Sequence, residues 1–305
     1  MLKIVFMGTP LFSVPILEAL IEEYEVIGVV TQPDKKVGRK QELMASPVKE
    51  CALRHNIPVF QPIKIRTDYE DIAVLNPDLI VTAAYGQIVG MKLLNTPKYR
   101  SINVHASLLP KYRGGAPIHE AIKQGESETG VTIMYMEKGM DSGDILAQRK
   151  IPITDDDNSG TMFEKLSLLG RDLLLEVIPK LVNGEIKPIK QDETKVTFAY
   201  NVTKEEEKLD FTKPARMVFN HIRAYNPFPT AYMELGDDVV KVYDSRTSDE
   251  THNQKPGTII KTTKHGFLIA CGNGTTLEIL EVQPSGKKRM KASDYANGAL
   301  RKYLK

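Results

Sequence analysis

The opening thirty-one residues constrain this chain more than any other stretch. Leu2 to Met7 is an apolar run of strand length, Gly8-Thr9-Pro10 is a turn, and Val26 to Thr31 is a second apolar strand. Between them Ser13 offers an N-cap hydroxyl to a helix running to about Glu23, with Pro15 in its first turn, where a missing N–H costs nothing. Two buried strands joined through a helix form a β-α-β crossover, so the expected fold is α/β, a doubly wound, mainly parallel, Rossmann-like sheet. Val59-Phe60 and Asp78 to Ala84 read as further strands, and Thr67-Asp68-Tyr69-Glu70 as a capping box opening a helix to Leu75. The strand ending at Ala84 leads into Tyr85-Gly86-Gln87-Ile88, where a residue without a side chain lets a flat ligand approach the backbone. Gly8 is a single glycine where the dinucleotide fingerprint needs three, which excludes a nicotinamide cofactor site.

The stretch Ser101 to Pro110 is where chemistry is expected. Ile102 and Val104 alternate with Asn103 and His105, the two-residue period of a strand, so the amide and the imidazole stand side by side on one face. The strand stops in Ser107-Leu108-Leu109-Pro110 and a loop, at the carboxyl end where open α/β sheets bind ligands. A helix from about Ala116 to Lys123 follows. Gly130 to Met136 and Asp144 to Lys150 then read as a hairpin whose loop, Glu137 to Gly143, holds Asp141. Ser159 to Val182 is a long amphipathic helix whose apolar stripe is assigned to the core.

Near Asn201 to Lys208 the composition turns charged and hydrophilic, as at a linker. Beyond a helix from Pro214 to Tyr225 and a break at Asn226-Pro227-Phe228-Pro229, short strands recur at Ala231–Glu234, Val239–Tyr243, Thr258–Ile260, Gly266–Cys271 and Thr275–Val282. This predicts a catalytic domain over 1–203 and an OB-like β-barrel over 204–305. From Glu206 onward sixteen Lys plus Arg face twelve Asp plus Glu, so this part is +4 within a chain of net charge +2. Its densest basic cluster is Lys287, Lys288 and Arg289 with Lys291; a second is the long loop 32–47, carrying Lys35, Lys36, Arg39 and Lys40. Each alone reads as solvated surface; together they point to a polyanion.

Other classes fall away. Cys51 and Cys271 are far apart and outside any zinc or disulfide spacing, which fits a reducing compartment. No apolar run approaches the ~18 residues of a membrane span, and the start is too short in apolar residues for a signal peptide, so a soluble, cytoplasmic protein is expected. Neither a metal set nor a covalent nucleophile is present in the pattern. An amide donor, an imidazole and a carboxylate suit direct acyl transfer instead, although an Asn-x-His on a strand also fits a structural pair.

Asn103-Val104-His105, Ser107-Leu108-Leu109-Pro110, Arg113-Gly114-Gly115-Ala116-Pro117 and Asp141-Ser142-Gly143-Asp144 together resemble the 10-formyltetrahydrofolate-dependent formyltransferases. Phe6-Met7-Gly8-Thr9-Pro10, Thr31-Gln32-Pro33-Asp34 and Tyr225-Asn226-Pro227-Phe228-Pro229 look like landmarks of the branch that acts on methionyl initiator tRNA, and the likeness spans essentially the whole chain. The resemblance implies that Asn103, His105 and Asp141 are catalytic. It places Ser107, Leu108, Leu109 and Pro110 against folate, and the strand end at Gly86, Gln87 and Ile88, open to a flat ligand, is expected to join them. It also assigns the loop around Arg39, with Lys35, Lys36 and Lys40, to the tRNA acceptor end. Gln41-Glu42 stands where many members are more basic, which shifts binding towards Lys287, Lys288 and Arg289. The donor would be 10-formyltetrahydrofolate, a consumed cosubstrate, with no tightly bound cofactor, no membrane and no obligate protein partner. Two other readings share parts of the pattern: a formyltransferase for a small amine (glycinamide ribonucleotide or a sugar nucleotide), which would keep Asn103, His105 and Asp141, and a non-catalytic RNA-binding protein, which would need none of them.

Overall fold

The computed structural model describes residues 1–38, 41–298 and 300. The chain divides into two compact units, one made of residues 1–117, 128–152 and 163–200, the other of residues 118–127, 153–162 and the chain from Asn201 onward. Two excursions that the linear reading counted with the first 203 residues thus belong to the second unit.

In the first unit β1 (Lys3–Gly8), α1 (Val14–Glu23) and β2 (Glu25–Val30) form the opening crossover. A small hairpin, β3 (Lys35–Val37) and β4 (Glu42–Met44), follows, then α2 (Pro47–Arg54) and β5 (Val59–Phe60). Next come α3 (Glu70–Ala73), β6 (Leu79–Ala83), α4 (Met91–Leu94) and β7 (Ser101–His105), then α5 (Pro117–Lys123), which from Ile118 on belongs to the second unit, then β8 (Glu128–Tyr135), β9 (Ile145–Pro152) and α6 (Ser159–Val182), which rejoins the first unit at Phe163. One seven-stranded sheet runs β5-β2-β1-β6-β7-β8-β9. It is parallel from β5 to β7 and antiparallel from β7 to β9. All of β6 and five of six residues of β1 are buried, as parallel strands covered on both faces must be. Along α6, Leu166, Leu173, Leu174, Val177, Ile178 and Leu181 are buried, so its stripe is core.

Three local expectations are corrected. Ser13 does not cap α1: its backbone is already helical, and its hydroxyl donates to Ala83 O at 2.6 Å, tying the β1 turn to the end of β6. No capping box opens α3, because the Thr67 hydroxyl donates to Lys64 O and Asp68 Oδ1 instead. The stretch read as a loop over 32–47 contains the β3–β4 hairpin, closed by Ser46, whose Oγ accepts from Lys49 N at 3.1 Å and caps α2.

The second unit contains α7 (Ala215–Ala224), β10 (Tyr232–Leu235), β11 (Asp238–Ser248), β12 (Ile259–Thr262), β13 (Phe267–Ala270), β14 (Thr276–Pro284), β15 (Met290–Lys291) and α8 (Ala292–Asn297). Its antiparallel sheet runs β10-β11-β14-β13-β12, with β15 against β14. Among the described residues no helix is long and apolar enough to cross a membrane.

Two histidines pack within this unit against Tyr225, which is 1% exposed: His221 lies edge-on at 4.7 Å between centroids and His119 at 6.1 Å. Burial pushes both imidazoles below their ordinary pKa, opposed by bonds to Phe228 O and Glu206 O; Lys123 adds to the lowering at His221, against Glu206 and Asp210. The unfolded chain therefore takes up protons, as pH falls through about 6.5, that the folded unit refuses. Stability should be full above that pH and decline below it, each histidine adding at most about 1.4 kcal/mol per pH unit to the slope. Urea midpoints measured between pH 7.5 and 5 should show this decline, and His119→Gln with His221→Gln should flatten it.

Candidate active site

The end of β7 brings the expected groups together. Ile102 and Val104, 0% and 2% exposed, turn into the core, while Asn103 and His105 share the opposite face. His105 is itself 6% exposed. Its Nε2 lies 2.9 Å from Tyr112 O. A carbonyl only accepts, so Nε2 carries the proton and the ring nitrogen left for chemistry is Nδ1. Asp141 reaches that atom from the β8–β9 loop: its Oδ2 stands 3.7 Å from His105 Nδ1 and accepts from Gly114 N at 2.8 Å. A nitrogen placed beside the pair can sit roughly 2.9 Å from both.

Each member is held from outside its own segment. Thr82 of β6 is paired in register with Asn103, and its hydroxyl donates to Asn103 Oδ1 at 2.7 Å. With the amide oxygen occupied, the Asn103 NH2 is the end offered to a ligand. Asp141 has φ +46°, a conformation few non-glycine residues adopt. Gln191, 6% exposed, holds it there by donating from Nε2 to Asp141 O at 2.7 Å and Gly143 O at 2.8 Å. Gln191 Oε1 in turn accepts from the buried Arg113 guanidinium, which also pairs with Glu193 and holds that carboxyl below its usual range. Gly114 has φ +119°, and a Cβ there would stand 2.6 Å from Ala199 O, so only glycine presents this N–H to Asp141.

The segments assigned to folate are more tightly bonded than a ligand loop need be. Ser107 Oγ donates to Lys111 O at 2.7 Å. Leu109, 3% exposed, is pinned by Thr132 Oγ1 at its N–H and by Gln148 Nε2 at its carbonyl, before a cis bond to Pro110; Leu108 is half-buried. The Gln87 side chain is committed to Ile65 N and Pro62 O, whereas Ile88 is 78% exposed. Gly86 has φ +87° and a Cβ on it would meet only Gln32 Nε2, at 3.4 Å. Of the basic groups, Lys35 and Lys36 are exposed on β3, and Lys287 and Lys288 in the turn before β15. The Arg289 guanidinium is tied to Glu281 and stacked over Tyr243. Arg39 and Lys40 lie outside the described residues.

An amide NH2, an imidazole and a carboxylate so placed can serve acyl transfer, and comparison with known proteins decides the family. The formyl transferase model matches residues 2–178 and the model of the formyl transferase C-terminal domain residues 201–300. The chain belongs to the formyl transferase family. Curated relatives include methionyl-tRNA formyltransferase of Lactiplantibacillus plantarum, 55% identical over 99% of this chain and 97% of that one. The enzyme of that name from Pediococcus pentosaceus is 53% identical over 98% and 94%. Among solved structures, an N-formyltransferase from Helicobacter canadensis, in complex with folinic acid and dTDP-3-aminofucose, superposes with a TM-score of 0.71 at 21% identity, covering 92% of this chain and 99% of its own. That likeness speaks to the fold alone.

Linear reading missed Thr82, Thr132, Gln148 and Gln191. Thr82 and Thr132 carry a faint signal, a hydroxyl within an otherwise apolar buried strand, Leu79 to Ala83 and Gly130 to Met134. Gln191 carries none, since its partners lie about fifty to eighty residues earlier.

Proposed function

We propose that this formyl transferase moves the formyl group of 10-formyltetrahydrofolate onto the α-amine of methionine esterified to initiator tRNA, in the cytoplasm, at the start of translation. The observation that carries this reading is identity above 50% over nearly the whole chain with enzymes of that name. Ordinary α-amines have pKa values near 7.7–8, so the attacking amine is partly unprotonated at cellular pH. The amine nitrogen bonds to the formyl carbon and the carbonyl electrons move to oxygen. The Asn103 NH2 and a protonated His105 Nδ1 donate to that oxygen, with Asp141 stabilising the imidazolium. As the carbonyl re-forms and the bond to N10 breaks, the proton released by the amine passes by Asp141 to N10 through water. Throughout, Nε2–H stays on Tyr112 O, so a change of protonation alters only the nitrogen that faces the reaction. The folate donor is assigned to the Gly86 to Ile88 and Ser107 to Pro110 segments, and the tRNA to Lys35, Lys36, Arg39, Lys40, Lys287 and Lys288, with Arg289 contributing from its pair with Glu281.

Formyl transfer to charged initiator tRNA, with uncharged tRNA, glycinamide ribonucleotide and a sugar-nucleotide amine as competing acceptors, tests this. Transfer to methionyl-tRNA alone is the expected result; preference for a small amine would overturn it. Arg39→Ala should raise the KM for methionyl-tRNA about tenfold at moderate salt and leave the folate KM within about twofold, as loss of one phosphate contact would.

A further inference from the structure

An apolar ledge adjoins Asp141 that the chemistry above does not use. Val196 to Tyr200 runs extended beside Tyr112 to Ala116: Arg113 N donates to Thr197 O at 2.9 Å, Ala199 N to Arg113 O at 2.8 Å and Ala116 N to Ala199 O at 3.1 Å. Extended backbone sends alternate side chains to opposite sides. Ala199 is 1% exposed and turns into the protein, and the otherwise exposed Thr197 on the same side returns its Oγ1 to accept from Tyr112 N. Phe198 and Tyr200 take the other side, 48% and 69% exposed, with rings stacked at 5.8 Å between centroids and 7° between planes. Met140, next to Asp141, is 53% exposed. Gly114 joins the parts: its missing Cβ would lie 2.6 Å from Ala199 O and 3.5 Å from Met140 Sδ, and its N–H is the one Asp141 holds.

Two parallel aromatic rings with about half or more of their surface open, together with the exposed Met140, form an apolar surface beside Asp141 of the kind that suits a ligand. A flat ring pair suits a flat aromatic partner, and stacking on it tolerates any base. In an aminoacyl-tRNA the ester joins the amino acid to the last ribose, so a nucleobase always sits one sugar away from the reacting amine. Phe198 and Tyr200 flank Ala199, whose carbonyl packs on Gly114, the residue whose N–H Asp141 holds. We propose that Phe198 and Tyr200 stack the terminal base of the acceptor strand and so supply binding energy for the charged end of methionyl-tRNA beside His105 and Asp141. This deepens the assignment of methionyl-tRNA as acceptor and rests on it.

Phe198→Ala/Tyr200→Ala should raise the KM for methionyl-tRNA by roughly 5- to 150-fold, the range of one stacked base, with kcat and the folate KM changed less than about twofold. Exchanging the rings, Phe198→Tyr/Tyr200→Phe, should restore the KM, because stacking needs the faces and not the hydroxyl. Saturation-transfer NMR with free adenosine reads the ledge without turnover: signal on the purine protons is expected with the unmodified protein and its loss with the double alanine variant. A rise in folate KM would assign the ledge to the donor instead, and equal loss of kcat with every acceptor would make it a structural strap. Either outcome, or unchanged tRNA KM and adenosine signal, overturns the proposal. Adenosine binding without formylation of methionyl-tRNA would instead fault the acceptor assignment.

Discussion

Asn103→Ala should fold as the unmodified chain does and lose about 10²- to 10³-fold in the rate of formyl transfer, about 2.7–4 kcal/mol of barrier, the usual effect of removing one oxyanion donor. The loss belongs to the transition state, since the amide meets full negative charge only after the amine has attacked. Single-turnover rates at saturating folate and tRNA should therefore fall while both KM values stay near their starting points. The fold should tolerate the change, because Asn103 is only part-buried and the Thr82 hydroxyl keeps a second acceptor in Ile102 O at 3.3 Å. Thr82→Val should show a smaller loss in the same step, with Thr82→Ser restoring it, because Thr82 acts only by orienting the amide. A near-normal single-turnover rate for Asn103→Ala would remove Asn103 from the chemistry.

Asp141→Ala should be as damaging for a different reason. Its carboxylate both accepts from Gly114 N and faces His105 Nδ1, so alanine removes a loop anchor and a proton acceptor together. Acid–base groups typically contribute 10²- to 10⁴-fold, and a loss in that range is expected. An orphaned backbone N–H adds about 1–3 kcal/mol of destabilisation. Asp141→Asn separates the two effects, since an amide oxygen still accepts from Gly114 N but takes no proton. Equal rate loss in both variants, with normal thermal stability in Asp141→Asn, is the expected pattern. Recovery of rate in Asp141→Asn would reduce Asp141 to an anchor.

Most of the fold was legible because strand alternation and apolar runs are local signals. The crossover β1-α1-β2, the hairpin β8–β9 and the limits of α6 were all readable in this way. The misreadings were of side chains whose partners lie elsewhere. Ser13 has the composition of a cap, yet Ala83 O, seventy residues on, takes its hydroxyl. Arg289 stands in a basic run, and only the structure shows its pairing with Glu281 across the strand pair.

Which residues are strand, which ends of strands carry amide, imidazole and carboxylate, and which family those motifs resemble were determined by the order of residues alone, since each rests on neighbours within a few positions. Tertiary structure alone decided that His105 turns Nδ1 towards Asp141 while Nε2 bonds Tyr112 O, that Thr82 holds the Asn103 amide oxygen, and that Gln191 and Gly114 hold Asp141 beside the ring. Those outcomes depend on hydrogen bonds between elements distant in the chain, and such bonds leave no periodic trace in the residues that make them.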